Sequence, residues 1–261
     1  MLVKDIMDKN YPSIYADELA TKARAVLRER ALRILPVVDE HKRLVGVISR
    51  NDIMNITSSV SAIRVNGIMV THPYAVIPDV YAVQVMREMV RRDEWYAPVI
   101  KSSQDLSYIG MLSLEHFILK SLEKNVTRLS TPLSNIMSTK LLTCSPNDEI
   151  DNIWQNMRER SFAACPVVEK GKAVGIVTQQ NLLESGGIFP GFEAKKGRFK
   201  APTKISFVMK TPLVSLKPTN TIKEAAKLML ERNIGRIPIV DDKGKLVGIV
   251  DREDIVKTLI K

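Results

Sequence analysis

The sequence predicts an α+β fold in which four copies of a β-α-β-β-α unit are paired two by two. The first observation behind this prediction is a set of repeated landmarks: an Ile-Met or Val-Met dipeptide, a proline between apolar residues, and a glycine before a short apolar run. The second is their nearly constant spacing, which is typical of a repeated supersecondary unit. The methionine precedes the proline by 29 residues in every copy, in the pairs Met7 and Pro36, Met69 and Pro98, Met137 and Pro166, and Met209 and Pro238.

The glycine landmark has an equally constant spacing to a position six residues later. The four pairs are Gly46 and Asp52, Gly110 and His116, Gly175 and Asn181, and Gly248 and Asp254. Only the interval between the proline and the glycine varies, from 9 to 12 residues. Because turns tolerate insertions, we expect a hairpin turn in this interval.

The elements of each copy follow in the same order. A short extended segment comes after the methionine, as in LLTCSP over 141–146. An amphipathic helix is predicted next, since four apolar residues of the third copy share one helical face: Ile150, Ile153, Trp154 and Met157. Two apolar strands then flank an Asp-Asp-Lys-Gly turn in RIPIVDDKGKLVGIV, over 236–250. A second helix, such as REDIVKTLI over 252–260, closes the unit.

These elements divide the chain into four repeats and one loop. A unit of about 55 residues buries little surface alone, so two units are expected to pair and complete a core. The first pair would span about 1–125 and the second about 130–261. The predicted boundaries are 1–60 for repeat one, 61–125 for repeat two, 130–186 for repeat three, 187–204 for a basic loop and 205–261 for repeat four.

The composition is that of a folded globular protein with a surplus of basic residues. The 261 residues are 45% hydrophobic and 26% charged, with a formal net charge of +10. Acidic residues stand where a signal peptide would be apolar, and no apolar run is long enough to span a bilayer. We therefore expect a cytoplasmic protein without membrane insertion. The two cysteines and three histidines lack metal-ligand spacing, so no metal site is predicted.

The stretch VGVISRNDI, over 45–53, allows two interpretations of its polar residues. Ser49 and Asp52 have the spacing of a helix N-cap and its capping-box acid. A helix N-terminus that follows a strand is also a natural phosphate site, where a neighbouring carboxylate can hold ribose hydroxyls. Taken alone, the stretch favours the helix cap.

The four copies together resemble four tandem CBS domains arranged as two Bateman modules. The resemblance rests on IM…PVVD…LVGVISRNDI, IM…APVI…YIGMLSLEHF, IM…CPVVEKGKAVGIVTQQNL and VM…RIPIVDDKGKLVGIVDREDI. It implies a stand-alone regulatory protein that binds AMP, ADP, ATP or S-adenosylmethionine in clefts between paired domains, with no other cofactor. It also implies that the Ser or Thr after the glycine strand faces phosphate, and that the Asp three residues later holds the ribose.

Carried over position by position, this resemblance gives a set of ligand-binding candidates: Ser49, Asp52 and Arg33 in repeat one, Ser113 in repeat two, Thr178 and Asn181 in repeat three, and Arg236 and Asp254 in repeat four. His116 departs from the pattern, because a neutral imidazole offers the ribose only one acceptor. Asp251 places a carboxylate where phosphate would lie, which favours a nucleoside or S-adenosylmethionine in repeat four. We expect occupancy in the order repeat one, then four and three, then two.

Two other functional classes stay open at this stage. The segment 186–204 combines lysines and arginine with three phenylalanines, which suits a nucleic-acid contact or a linker with solvated charges. A structural scaffold with empty clefts is the third alternative. The chain has no GxxxxGK motif and no GxGxxG after a strand, so we do not expect an enzyme. We expect an unidentified protein partner to respond to the ligand-bound state. The protein itself is expected to be either a monomer or a homodimer.

Overall fold

The computed structural model describes residues 1–54, 62–160, 162–185 and 204–261. Each repeat shows the predicted α-β-β-α order, but the short first strand of the predicted unit forms a strand only in repeat one and is a single parallel bridge in the other three: Val76 with Val99, Cys144 with Val167, and Leu216 with Ile239. The elements of repeats one and two are β1 (Ile14–Tyr15), α1 (Ala20–Glu29), β2 (Ile34–Val38), β3 (Leu44–Ser49), α2 (Arg50–Met54), β4 (Val70–Thr71), α3 (Ala82–Arg91), β5 (Tyr96–Ile100), β6 (Tyr108–Ser113) and α4 (Leu114–Glu123). Those of repeats three and four are α5 (Ile150–Glu159), β7 (Ala164–Glu169), β8 (Lys172–Thr178), α6 (Gln179–Ser185), α7 (Ile222–Glu231), β9 (Arg236–Val240), β10 (Leu246–Asp251) and α8 (Arg252–Leu259). The predicted basic loop lies outside the described residues, apart from Lys204.

The two strands of each repeat form an antiparallel hairpin, as predicted. The pairs are β2 with β3, β5 with β6, β7 with β8, and β9 with β10, and each contains one register irregularity. Gly171 (φ 78°) and Gly244 (φ 78°) lie in two of the turns, in the left-handed region that favours glycine. The variable interval between proline and glycine is therefore the hairpin turn.

The helices bury the faces that their periodicity predicts. Four apolar residues of α5 are buried: Ile150, Ile153, Trp154 and Met157. Four of α7 are buried in the same way: Ile222, Ala225, Ala226 and Met229. Asp93 (φ 58°) and Asn233 (φ 49°) follow α3 and α7 in the left-handed conformation, and this conformation ends both helices.

The first residues of each repeat dock on the other repeat of the pair. The backbone N–H of Val3 donates to Val80 of repeat two over 3.0 Å, and that of Val65 donates to Glu18 of repeat one over 2.9 Å. The second pair makes the same exchange. The backbone N–H of Leu133 donates to the Asn220 carbonyl over 2.8 Å, and that of Ile205 donates to the Asp148 carbonyl over 2.9 Å. Val3, Val65, Leu133 and Ile205 are all fully buried.

Each exchanged segment also extends the sheet of the repeat on which it docks. This contact explains why a methionine and a glycine recur at fixed positions. Strand β4 of repeat two pairs with β3 of repeat one, with Thr71 opposite Gly46. A Cβ on Gly46 would lie 2.8 Å from both Met69 Sδ and the Val70 carbonyl oxygen. A Cβ on Gly248 would lie 2.6 Å from Met137 Sδ. A side chain at these positions would therefore collide with the incoming segment.

Two apolar cores join the pairs across the molecule. One core combines residues of repeats one and three, among them Leu27, Ile53, Met157 and Leu182. The other combines residues of repeats two and four, and here α4 packs on α7 and α8. Sheet edges thus connect repeats one with two and three with four, whereas helices connect one with three and two with four. The second module folds back on the first within one chain.

None of the helices within the described residues combines the length and the apolar character that crossing a bilayer requires. The same ranges contain no group of three or more His, Cys, Asp or Glu side chains arranged to hold a metal ion. Cys144 and Cys165 are both free and buried.

Candidate functional site

The Ser49 and Asp52 pair forms a closed helix cap in the structure. The Ser49 N–H donates to Asp52 Oδ2 over 2.7 Å, and the Ser49 hydroxyl donates to the same oxygen over 2.6 Å. Thr178 and Asn181 repeat this geometry, with bonds of 3.0 and 2.9 Å to Asn181 Oδ1. An amide therefore replaces the carboxylate without loss of the cap. The capping interpretation is confirmed, and the ligand role of these residues stays a prediction.

Repeat two departs from this pattern at its histidine. The His116 N–H donates to Ser113 Oγ over 3.3 Å, which completes one half of a cap. Its ring Nδ1 is buried and has no hydrogen-bond partner among the described residues. Burial lowers the pKa of His116, so the imidazole is neutral near pH 7. A neutral ring carries no charge toward a ribose or phosphate.

Repeat four places two carboxylates at one helix start. The Asp251 N–H donates to Asp254 Oδ2 over 2.9 Å, and the Asp254 N–H donates back to Asp251 Oδ1 over 3.1 Å. Burial and the neighbouring Asp251 raise the pKa of Asp254 to about 7. Arg236 offsets part of this charge, with its Nη2 lying 3.5 Å from Asp251 Oδ2.

A cavity of 370 Å³ opens beside the Thr178 and Asn181 cap. Its apolar wall includes Ala164 and Ile176 of repeat three, together with Val214 of repeat four. Four of the predicted ligand residues line it: Arg33, Thr178, Asn181 and Arg236. The other four, which are Ser49, Asp52, Ser113 and Asp254, are not among its lining residues.

Arg33 is the one lining candidate that comes from the first module. Its Cζ lies 4.4 Å from the centre of the Trp95 ring, and Arg236 Cζ lies 4.7 Å from the same centre. Burial and the nearby Arg236 lower the pKa of Arg33 to about 9. The structure therefore places Arg33 against repeat four, in the cavity that contains the repeat-three cap.

Sequence reasoning missed several basic residues of this cavity, of which Arg252 is the most buried. Arg252 is 4% exposed and donates from Nη1 to Glu115 over 2.7 Å. Arg50 also lines the cavity and donates to the carbonyls of Leu32 and Ala31, both over 2.6 Å. Both arginines directly follow the capping residue of their repeat. An arginine at the same offset in two repeats was the signal that could have found them.

Comparison with known proteins gives the family of the chain. The model of the CBS domain matches residues 3–59, 133–186 and 205–261, which together exceed half of the chain. Protein MJ1225 of Methanocaldococcus jannaschii, proposed as an archaeal homologue of g-AMPK, has a crystal structure with a TM-score of 0.86. It is 20% identical, and the alignment covers 98% of this chain and 99% of that one. A protein of Pyrococcus horikoshii matches with a TM-score of 0.69 at 21% identity, covering 99% and 100% of the two chains.

Two sequence relatives align over nearly the whole chain as well. MJ1404, also of Methanocaldococcus jannaschii, is 26% identical over 98% of this chain, which spans 61% of that protein's length. MJ1225 is 22% identical over 278 residues, with 98% of both sequences covered. These likenesses agree with the repeated fold described above. The chain belongs to the CBS domain family, as a protein of tandem CBS domains.

Proposed function

We propose that this protein is a regulatory sensor that binds an adenosine-containing ligand in the clefts between its paired CBS domains. AMP, ADP, ATP and S-adenosylmethionine are the candidate ligands. The observation that carries the proposal is the 370 Å³ cavity, where a polar cap, an apolar wall and several arginines converge. This volume is within the range of small-molecule sites, which is about 300–1,000 Å³.

Each part of the cavity suits one part of such a ligand. The apolar surface of Ala164, Ile176 and Val214 suits a purine ring. The Asn181 side chain, 6% exposed, offers an amide to the ribose hydroxyls. The Thr178 hydroxyl lies at the start of α6, where backbone N–H groups favour an anion.

The corresponding positions of the other repeats form the remaining proposed sites. Repeat one offers Ser49 with the carboxylate of Asp52, and repeat four offers Asp254 with Arg236. Repeat two offers Ser113 alone, because His116 is neutral. The ranking of these sites by occupancy stays a prediction.

The regulatory part of the proposal follows from the position of Arg33. The cavity takes most of its lining from the second module, and four lining residues come from the first: Ala31, Arg33, Arg50 and Tyr96. A ligand in this cavity contacts both modules. It therefore shifts the protein toward the relative arrangement of the modules for which it has the higher affinity. An unidentified protein partner would read that change. The proposed role is therefore regulatory rather than catalytic.

Calorimetric titration with AMP, ADP, ATP, S-adenosylmethionine and adenosine tests the proposal. We expect saturable binding of at least one ligand to the wild-type protein. In Asn181→Ala the affinity should fall by roughly tenfold or more, because a buried polar partner of the ribose is lost. Asp52→Ala should remove the binding that belongs to the repeat-one cleft.

Asn152→Ala is the matched control, since Asn152 is exposed on α5 and does not line the cavity. This variant should bind like the wild type. Absence of binding by every ligand would overturn the proposal. Binding that neither Asn181→Ala nor Asp52→Ala weakens would contradict the assignment of the ligand to the repeat-three and repeat-one clefts.

A further inference from the structure

One residue from each repeat occupies an equivalent place where the two modules face each other. The residue three positions before the landmark proline, here called the central position, is Arg33, Trp95, Ala163 or Gly235 in the four repeats. Its backbone carbonyl accepts the N–H of the first residue of the repeat's second helix, over 3.0, 3.1, 3.2 and 3.2 Å in chain order. The four backbones are therefore held alike, and only their side chains differ.

The central position carries large side chains in the first module and small ones in the second. The first module contributes a guanidinium and an indole in contact, since Arg33 Cζ lies 4.4 Å from the centre of the Trp95 ring. The second module contributes only a methyl group at Ala163 and no side chain at Gly235. The space between the modules is thus filled from one side.

Gly235 is required by space and not by its backbone conformation. Its φ lies outside the left-handed region that favours glycine. A Cβ at this residue would lie 2.5 Å from Arg33 Nη2 and 3.2 Å from Trp95 Cζ3. The indole is fixed in place, because Trp95 Nε1 donates to Glu253 of repeat four over 3.1 Å. The two large side chains therefore occupy the space that the glycine leaves.

A second copy of the first module could not replace the second module in this packing. Repeat one shares a core with repeat three, and repeat two shares one with repeat four. In a pair of two first modules, the second copy's Trp95 would therefore lie at the place of Gly235. An indole there would overlap the side chains already present, because even one added carbon is too close. Two second modules would instead leave a cavity, which is also unfavourable.

We propose that the central position selects the pairing of the modules by size. The two large side chains of the first module accept the two small residues of the second module and exclude another first module. The partner that the inner face of the first module fits is therefore a second module, and the short connection within the chain makes its own the favoured one. This inference goes beyond the proposed function and does not depend on a ligand.

The first test is the melting temperature of full-length, ligand-free variants. Gly235→Trp should lower it by about 5 °C or more, because a large residue then faces Arg33 and Trp95. Adding Trp95→Gly exchanges the two residues between the modules and should recover most of this loss. Gly67→Trp is the matched control, since a Cβ there would have its nearest neighbour 3.9 Å away in Ile63. Adding Trp95→Gly to the control should recover nothing, and equal recovery in both backgrounds would overturn the inference.

A second test measures the choice of partner. The variant Ala163→Arg/Gly235→Trp carries large residues in both modules, and Arg33→Ala/Trp95→Gly carries small residues in both. The two full-length variants are unfolded in urea and refolded separately or together, and native mass spectrometry identifies the products.

We expect a 1:1 complex of the two variants only after joint refolding, because each module then finds its complement in the other chain. This result would support the inference even if the variant with large residues aggregates when it is refolded alone. Absence of the complex would overturn the inference. A monomeric variant with large residues and the melting temperature of the wild type would overturn it as well.

Discussion

At the residue scale, the capping pairs show how one local geometry accepts different chemistries. Asp52, Asn181 and Asp254 each accept from the backbone N–H three residues earlier, over 2.7, 3.0 and 2.9 Å. The sequence predicted this geometry because the spacing of a cap is local. It could not predict which pair faces a cavity, since that depends on segments distant in the chain. That Arg252 lines the cavity depends on the same distant segments, although its offset after the capping residue, shared with Arg50, could have marked it as a candidate.

Asp254→Asn should stabilise the protein at neutral and alkaline pH. The folded state holds a proton on Asp254 up to about pH 7, whereas the unfolded state releases it near pH 3.8. The wild type therefore loses stability as the pH rises through this window, and the loss is complete above it. An amide carries no such cost, and Asn181 shows that it can form the same cap.

Urea unfolding at pH 5 and pH 8 measures this effect. We expect Asp254→Asn to gain about 1 kcal/mol or more at pH 8 and to flatten the pH dependence between the two values. Asp251, Glu253 and Lys257 face the same carboxyl and stay unchanged in this variant. Asp242→Asn is the control, because Lys217 lowers the pKa of Asp242 and no gain is expected there. A loss of stability in Asp254→Asn at pH 8 would contradict the assignment.

At the scale of elements, the exchanged segments account for the landmark spacing. The Met and Gly landmarks belong to different repeats and meet where one segment joins the partner's sheet, as Met69 does at Gly46. Periodicity within one repeat predicted the helices and hairpins because those patterns are local. It could not predict the exchange, because the hydrophobic pattern of a segment does not identify the repeat on which it docks.

Gly46→Ala should weaken the attachment of the repeat-two segment to β3. The new methyl group would lie 2.8 Å from the carbonyl oxygen of Val70, so backbone must move. We expect a loss of about 1–3 kcal/mol in the free energy of unfolding, measured by urea denaturation. Gly67→Ala is the control, since its nearest neighbouring atom is 3.9 Å away in Ile63. Equal stability of the two variants would show that the close contact is not required.

At the scale of the whole molecule, sheets and cores connect the repeats in different pairs. The sheets join repeats one and two, and the core that contains Leu27 and Met157 joins repeats one and three. Each repeat therefore depends on two others. The pairing into two modules was predicted from the small size of one unit, but the cores shared between modules were not. Composition gives the amount of apolar surface and not its arrangement.

Unfolding should accordingly be one cooperative transition. The two tryptophans lie in different cores, Trp95 against that of repeats two and four and Trp154 in that of repeats one and three. We expect the single-tryptophan variants Trp95→Phe and Trp154→Phe each to give a fluorescence midpoint in urea equal to the midpoint from circular dichroism. Coincident probes are the mark of two-state behaviour. Two separated transitions would show that the cores unfold independently.

The docking of the first residues on repeat two also constrains the order in which the nascent chain can fold. Asp8 exchanges two backbone hydrogen bonds with Met111, each 2.8 Å long. At translation rates of ~5–20 residues per second, roughly 5–20 s separate the synthesis of these two residues. During that interval the segment around Asp8 has been synthesised, whereas its docking site has not. A translational pause before repeat two is completed would prolong this exposure, whereas a pause after it would not.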